Sequence, residues 1–314
     1  MKKISVVIPT FNEEENIGPM IAAVKNVFAE KLTSYDYEIL VIDNDSTDST
    51  RAIIKKECEQ DIKVKAIFNE RNYGWLRSPI YGLLQSDGDC SISIAADFQD
   101  PVELIPEFID AWEKGNKVVV GQKTNSSEKR LMWGARSLYY KLVRRFSDID
   151  QLEHFTGFGL YDRSFLDILR ELNDPIPFMK GYVAEFCGHP YVIKYKQPKR
   201  QKGKSWGSFL RLYDVAMVGI TGYTKIGIRA AVFFGFLTSV LSFIMAIVYL
   251  VYKLTHWYSF NAGVAPLVVG MFFISGVQMF FLGMMGEYIL SVNERIRRRP
   301  LVIEKTRLNF EEEA

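Results

Sequence analysis

The sequence predicts an α/β domain built on a largely parallel sheet, followed by a hairpin of two membrane-spanning helices. Three observations carry this. Residues 1 to about 125 alternate short apolar runs with amphipathic ones, as strands covered on both faces by helices do. Three of the apolar runs end in acidic, turn-forming clusters. Towards the C-terminus, Ala230 to Tyr252 and then Leu254 to Gly286 contain no Asp, Glu, Lys or Arg. A bilayer-spanning helix needs about 20 mostly apolar residues, which places two spans near 230–252 and 264–286.

The elements follow in order. Ile4 to Ile8 reads as a strand that runs into Pro9-Thr10-Phe11-Asn12-Glu13-Glu14-Glu15-Asn16. Ile17, Met20, Ile21, Val24, Val27 and Phe28 recur at helical spacing and predict the first covering helix. Tyr37 to Ile42 is the second strand, entering Asp43-Asn44-Asp45-Ser46-Thr47-Asp48. Ser46 is read as the N-cap of a helix over Thr47 to Cys58. Val64 to Phe68 is the third strand. Pro79 is read as the opening of a helix ending near Gln85, because proline suits a first turn. A turn at Asp87-Gly88-Asp89 leads into Cys90 to Ile94, the strand that meets Ala95-Ala96-Asp97-Phe98-Gln99-Asp100-Pro101. A helix over Val102 to Lys114 closed by Gly115, a strand over Lys117 to Gly121 and a longer helix over Leu131 to Phe146 complete this part. Trp206, Phe209, Leu210, Leu212, Tyr213, Val215, Met217 and Ile220 fit either a core helix or a helix lying on the bilayer; the adjacent spans favour the second.

Composition narrows the function classes. A length of 314 residues allows one large domain or two modest ones. The formal net charge of +2 gives no argument for a nucleic-acid partner. Positive charge is instead local, in Lys199, Arg200, Lys202 and Lys204 and again in Arg295, Arg297, Arg298 and Arg299. Cys58, Cys90 and Cys187 offer neither a disulfide framework nor metal-ligand spacing and suit a reducing compartment. The apolar run before Pro9 is too short for a signal peptide. Lys225 and Arg229 precede the first span and Arg295 to Arg299 follow the second, which sets both ends in the cytoplasm. Gly263 and Gly270, then Gly276 and Gly283, lie two helical turns apart, where small residues let helices approach within the hairpin or between copies in a homo-oligomer.

Acidic residues at the end of a buried strand are badly placed for packing. They are well placed to hold a divalent cation against a diphosphate, because strand ends in open α/β sheets face the ligand crevice. Taken alone, Asp97 and Asp100 before a proline also suit a helix-capping turn. Three such strand ends together point to one shared polar crevice.

The segments PTFNEEENI (Pro9 to Ile17), IDNDSTDST (Ile42 to Thr50), NERNYG (Asn69 to Gly74), ADFQDP (Ala96 to Pro101), TGFGLYDR (Thr156 to Arg163) and KGYVAEFCG (Lys180 to Gly188) occur in this order. Over nearly its whole length the chain thereby resembles glycosyltransferase family 2, inverting enzymes with a GT-A domain. Within that family it looks most like the polyisoprenyl-phosphate glycosyltransferases, which include dolichol-phosphate mannose synthases and bacterial undecaprenyl-phosphate glucosyltransferases. The resemblance implies an α/β, GT-A (Rossmann-like) nucleotide-sugar domain over residues 1–205. It implies an interfacial segment over 206–228, two transmembrane helices within 229–290 and a basic tail over 291–314, at the inner (plasma) membrane with the catalytic domain cytoplasmic. The implied reaction moves a sugar, best read as glucose from UDP-glucose, onto a polyprenyl phosphate.

By the same resemblance Asp97 ligates Mg²⁺ or Mn²⁺, and Gln99 and Asp100 lie near the acceptor phosphate or behind the metal. Pro9, Phe11, Glu13, Asp43 and Asp45 bind the nucleotide, and Arg200, Lys204 and Ser205 hold the acceptor phosphate. The chemistry agrees: a phenyl ring can stack on a base, and a carboxylate accepts hydrogen bonds from ribose hydroxyls or base N–H groups. The chain departs from the family pattern where Ala95 replaces the first Asp of the usual Asp-x-Asp, where Phe158-Gly159 follows Thr156-Gly157, and at Lys180. A processive polysaccharide synthase would carry more spans and a Gln-x-x-Arg-Trp-type motif. A non-catalytic lipid-binding or scaffold member is the reading that Ala95 supports.

Overall fold

A computed structural model describes residues 1–125, 152, 154–198, 217–219, 221–222, 226–256, 264–297 and 299–310. Successive βα units open the chain: β1 (Lys3–Thr10), α1 (Ile17–Lys31), β2 (Asp36–Asp43), α2 (Thr50–Gln60), β3 (Val64–Asn69), α3 (Gly74–Gln85) and β4 (Cys90–Ser93). A 3-10 turn (Val102–Leu104), α4 (Ile105–Glu113), β5 (Val118–Asn125), β6 (Phe155–Asp162), α5 (Arg163–Leu172), α6 (Met179–Phe186) and β7 (Tyr191–Lys196) follow. The last elements are α7 (Ile226–Thr255), α8 (Val264–Ile296) and β8 (Glu304–Leu308).

All eight strands form one sheet in the order β7-β5-β6-β4-β1-β2-β3-β8. β1 pairs in parallel with β2 and β4, and β2 with β3, so their C-terminal ends share one edge. β6 runs antiparallel to β4 and β5, and β8 antiparallel to β3. The strand period of two sorts the core into two layers. Ile4, Val6 and Ile8 of β1 pack with Ile17, Met20 and Ile21 of α1 and Ile105 and Phe108 of α4. Val7, between them, faces Ile80 and Leu83 of α3 and Leu166 of α5. Burial of these side chains on both faces is the main stabilising term, each worth about 1.5–3 kcal/mol.

Helix starts differ from expectation at three places. Ser46 does not cap α2; its hydroxyl accepts the amide of Asn12, and the helix begins at Thr50. Pro79 lies inside α3, which begins at Gly74. The helix expected over Val102 to Lys114 is a 3-10 turn followed by α4, with Gly115 beyond it at φ +94°. The helix expected over Leu131 to Phe146 lies outside the described residues, as does most of the interfacial segment 206–228.

α7 and α8 form a unit apart from the sheet. Both are long and apolar enough to cross a membrane, with stretches of mean hydropathy 1.9 and 1.4. Large apolar side chains on them are exposed, as at Phe236 (70%) and Leu267 (71%), so these are not helices buried in a protein core. Added methyl groups at Gly270, Gly276 and Gly283 would meet nothing within 4 Å among the described residues. Residues 304–308, read from sequence as part of a tail, are the sheet's edge strand β8.

Candidate active site

The shared edge of β1, β2 and β4 brings together the sequence-predicted nucleotide residues and the Asp97 turn. Thr10 pairs with Asp43 across β1 and β2, and Ile94 donates its amide to Val7 O at 3.0 Å. Beyond β1 the chain turns through Asn12, at φ 54°, a left-handed value that asparagine tolerates. The turn is tied to the loop after β2: Asn12 N donates to Ser46 Oγ (2.9 Å), Glu13 N to Thr50 Oγ1 (2.9 Å) and Thr47 N to Asn12 Oδ1 (2.8 Å). Glu13 Oε2 accepts from Asn16 Nδ2 at 2.7 Å, at the start of α1. Pro9 and Phe11 stand partly exposed beside them.

Asp43 is fully buried. Its Oδ2 accepts from Arg51 Nε (2.6 Å) and Ser46 N (3.2 Å), while its Oδ1 has no hydrogen-bond partner among the described residues. Arg51 also reaches Asp45 Oδ1 at 3.1 Å and donates to Asn69 O at 3.0 Å. Asn69, at the end of β3, donates to Asn44 Oδ1 and Ser78 Oγ, both at 3.1 Å. Asn44 in turn donates to Asn72 Oδ1 and accepts from Tyr73 N. One polar network therefore spans three strand ends and holds the NERNYG segment against the Asp43 loop. Sequence reasoning assigned no role to Arg51, because only the folded α2 returns it to Asp43, eight residues away.

After β4 the chain folds back on itself. Asp97 Oδ1 accepts from Gln99 N at 3.2 Å, and Phe98 takes a left-handed φ of 58°. Asp97 and Gln99 are partly exposed at the crevice, whereas Asp100 is only 6% exposed. Asp100 Oδ1 accepts from Tyr195 Oη at 2.7 Å and Oδ2 from Ala95 N at 3.3 Å. Burial pushes the Asp100 carboxyl upward; nearby Lys123 and the Tyr195 hydrogen bond oppose that shift. Among the described residues no group of three His, Cys, Asp or Glu side chains is placed to hold a metal ion. A partly exposed carboxylate at Asp97 still fits Mg²⁺, which takes one or two carboxylates and fills its sphere with substrate phosphates and water. Arg200, Lys204 and Ser205 lie outside the described residues.

A doubly covered α/β sheet whose parallel strand ends gather carboxylates at one edge has the ligand-binding edge of an open α/β domain. Residues 5–169 match the family model Glycosyl transferase family 2, and the chain belongs to that family. It is 30% identical over 304 residues to the SfII prophage-derived bactoprenol glucosyl transferase of Shigella flexneri, covering 96% of this chain and 97% of that protein. The same identity relates it to the prophage bactoprenol glucosyl transferase homolog of Escherichia coli K12, at 96% and 98% coverage. Among solved structures, mannosyl-3-phosphoglycerate synthase from Rubrobacter xylanophilus shares the fold, with a TM-score of 0.50 and 16% identity over 69% of this chain and 71% of that one.

Proposed function

We propose that the protein transfers a sugar from a nucleotide donor, best read as UDP-glucose, to a polyprenyl phosphate at the cytoplasmic face of the inner membrane. The observation that carries this reading is the meeting of the Phe11–Glu13 turn, Asp43 and Asp97 on one sheet edge, in a chain that also has two span-length apolar helices. The glucosyl transfer to bactoprenol in its relatives' names supports the acceptor class.

In this reading Phe11, Asp43 and Asp45 bind the nucleoside, the ring by stacking and the carboxylates by accepting from base or ribose donors. Asp97 holds Mg²⁺ or Mn²⁺, which when bound supplies positive charge to the departing diphosphate. Gln99 orients the acceptor beside it. The acceptor is itself a phosphate, largely dianionic near neutral pH with a second pKa of about 6, so the attacking oxygen needs little general base. Arg200, Lys204 and Ser205 present that phosphate in line with the anomeric carbon, and attack from the face opposite the leaving group inverts the centre. Alignment of this kind supplies much of the rate.

Full-length protein in detergent, given undecaprenyl phosphate and UDP-glucose with Mg²⁺, should form the glycolipid. UDP-N-acetylglucosamine and GDP-mannose serve as competing donors. Transfer only from another donor would correct the sugar; absence of transfer from all three would overturn the reading.

A further inference from the structure

Tyr195 has no place in the site read from sequence, yet it is the one side chain of β7 hydrogen-bonded to the Asp97 turn among the contacts described. Its ring is 6% exposed and meets Phe158 edge to face, with centroids 5.5 Å apart. Room for that ring depends on Gly121 of β5: a methyl there would stand 3.0 Å from Tyr195 Cε1 and 2.6 Å from Phe158 Cδ1. Thr124 Oγ1 donates to Tyr195 O at 3.1 Å and pins the backbone of β7 at the same residue. The hydroxyl is thus delivered by a rigid edge of the sheet to the buried carboxylate of Asp100, 95 positions earlier in the chain.

The turn it reaches needs outside support. Phe98 at φ 58° is a bulky residue in a sparsely populated backbone region, which persists only where surroundings over-determine it. Asp100 provides that restraint from inside, since its second oxygen accepts the amide of Ala95 and closes the turn. Its first oxygen is held by Tyr195.

We infer that Tyr195 is a positioning residue for sugar transfer: acting through Asp100, it holds residues 95–100 in the shape that presents Asp97 and Gln99 to the crevice. This rests on the proposed transferase reading for its catalytic consequence, but not for its structural one. Tyr195→Phe keeps the packed ring and removes the hydroxyl, which donates to Asp100 and also bonds the Thr156 side chain. Losing one hydrogen bond to a charged group should lower kcat about tenfold, with the KM for the nucleotide sugar within about twofold. In the substrate-free full-length protein, amides of residues 95–100 should exchange with deuterium faster in Tyr195→Phe than in wild type, and Asp100→Asn, which weakens the same bond from its other end, should do likewise. In an Asp100→Asn background, Tyr195→Phe should lower kcat by clearly less than it does in wild type, because coupled residues are not additive. An amino group in place of the hydroxyl at position 195 restores a donor and should restore kcat. Wild-type exchange and kcat in Tyr195→Phe, or an equal loss in both backgrounds, overturns the inference. If wild-type protein transfers no sugar, the transferase reading fails, while the exchange measurement still decides whether Tyr195 holds the turn.

Discussion

Asp97 and Asp100 are three positions apart in sequence and have opposite surroundings. Asp97 is partly exposed at the sheet edge, whereas Asp100 is buried. Asp97→Asn should lower transfer at least ~100-fold, as loss of a principal electrostatic contact does. Its unfolding transition should stay close to wild type by circular dichroism. Retained activity would remove Asp97 from the metal site. Arg51 is different, because it pairs with a carboxylate that has no exposure at all. Arg51→Ala leaves Asp43 buried and uncompensated, and breaking a buried pair costs about 3–5 kcal/mol. Thermal unfolding should shift down clearly, and UDP should no longer raise the transition. The acidic members of this site were legible because carboxylates at strand ends have no packing rationale. Arg51 and Tyr195 were not: Arg51 reaches Asp43 only once the loop after β2 and α2 fold back, and Tyr195 meets Asp100 from 95 positions away.

The edge strand β8 is held by side chains as much as by its ladder. Glu304 accepts from Tyr81 Oη (2.8 Å) and from Arg307, and Arg307 also donates to Gln85 Oε1 at 2.9 Å. Asn309, at φ 61°, donates its side-chain amide to Cys58 O (2.7 Å) and Val64 O (2.8 Å), closing the link between α2 and β3. Asn309→Ala leaves those carbonyls without this donor and should destabilise the sheet unit by about 1–3 kcal/mol in chemical denaturation. At the N-terminal ends of β1–β3, Glu38 is 2% exposed and pairs with Lys3 (2.9 Å) and Lys65 (2.8 Å), and Ser5 Oγ donates to it at 2.6 Å. Burial alone would raise its carboxyl pKa, but hydrogen bonds from Lys65, Ser5, the Asp87 amide and Lys3 outweigh that and hold it at about 2. The unfolded value is about 4.3, so Glu38 stabilises the fold fully above that pH and loses its contribution as pH falls towards 2. The wild-type melting temperature should therefore drop between about pH 4 and 2, and Glu38→Gln should melt lower at pH 7 and flatten that part of the profile. Period-two and helical spacing made β1–β4 and α1 legible. Ser46 and Pro79 misled, because a hydroxyl claimed by Asn12 cannot cap and a helix can tolerate a proline past its first turn.

At the scale of the whole chain, connectivity constrains the membrane arrangement. β7 and β8 belong to one sheet, and α7 and α8 lie between them in sequence. A folded sheet sits on one side of a bilayer, so the chain between those strands must cross an even number of times. We propose that the two span-length helices meet that condition as a hairpin. With Cys187 replaced, and Cys58 and Cys90 buried, a cysteine at Ser259 should label from outside intact cells and one at Glu312 only after lysis. Labelling of both from one side would refute the hairpin.

The order of strands and helices up to about residue 121, the three acidic strand ends and the two uncharged runs were all determined by local sequence. Residues a few positions apart carry these signals, and burial of one face or of a whole helix writes them directly into the spacing of apolar side chains. The antiparallel insertion of β6, the return of β8 to the edge of β3, the Arg51 clasp on Asp43 and the Tyr195 brace on Asp100 were decided by tertiary structure alone. Each depends on a hydrogen bond or strand pairing between segments that approach only after the hydrophobic core has closed, and such a pairing leaves no period in the chain.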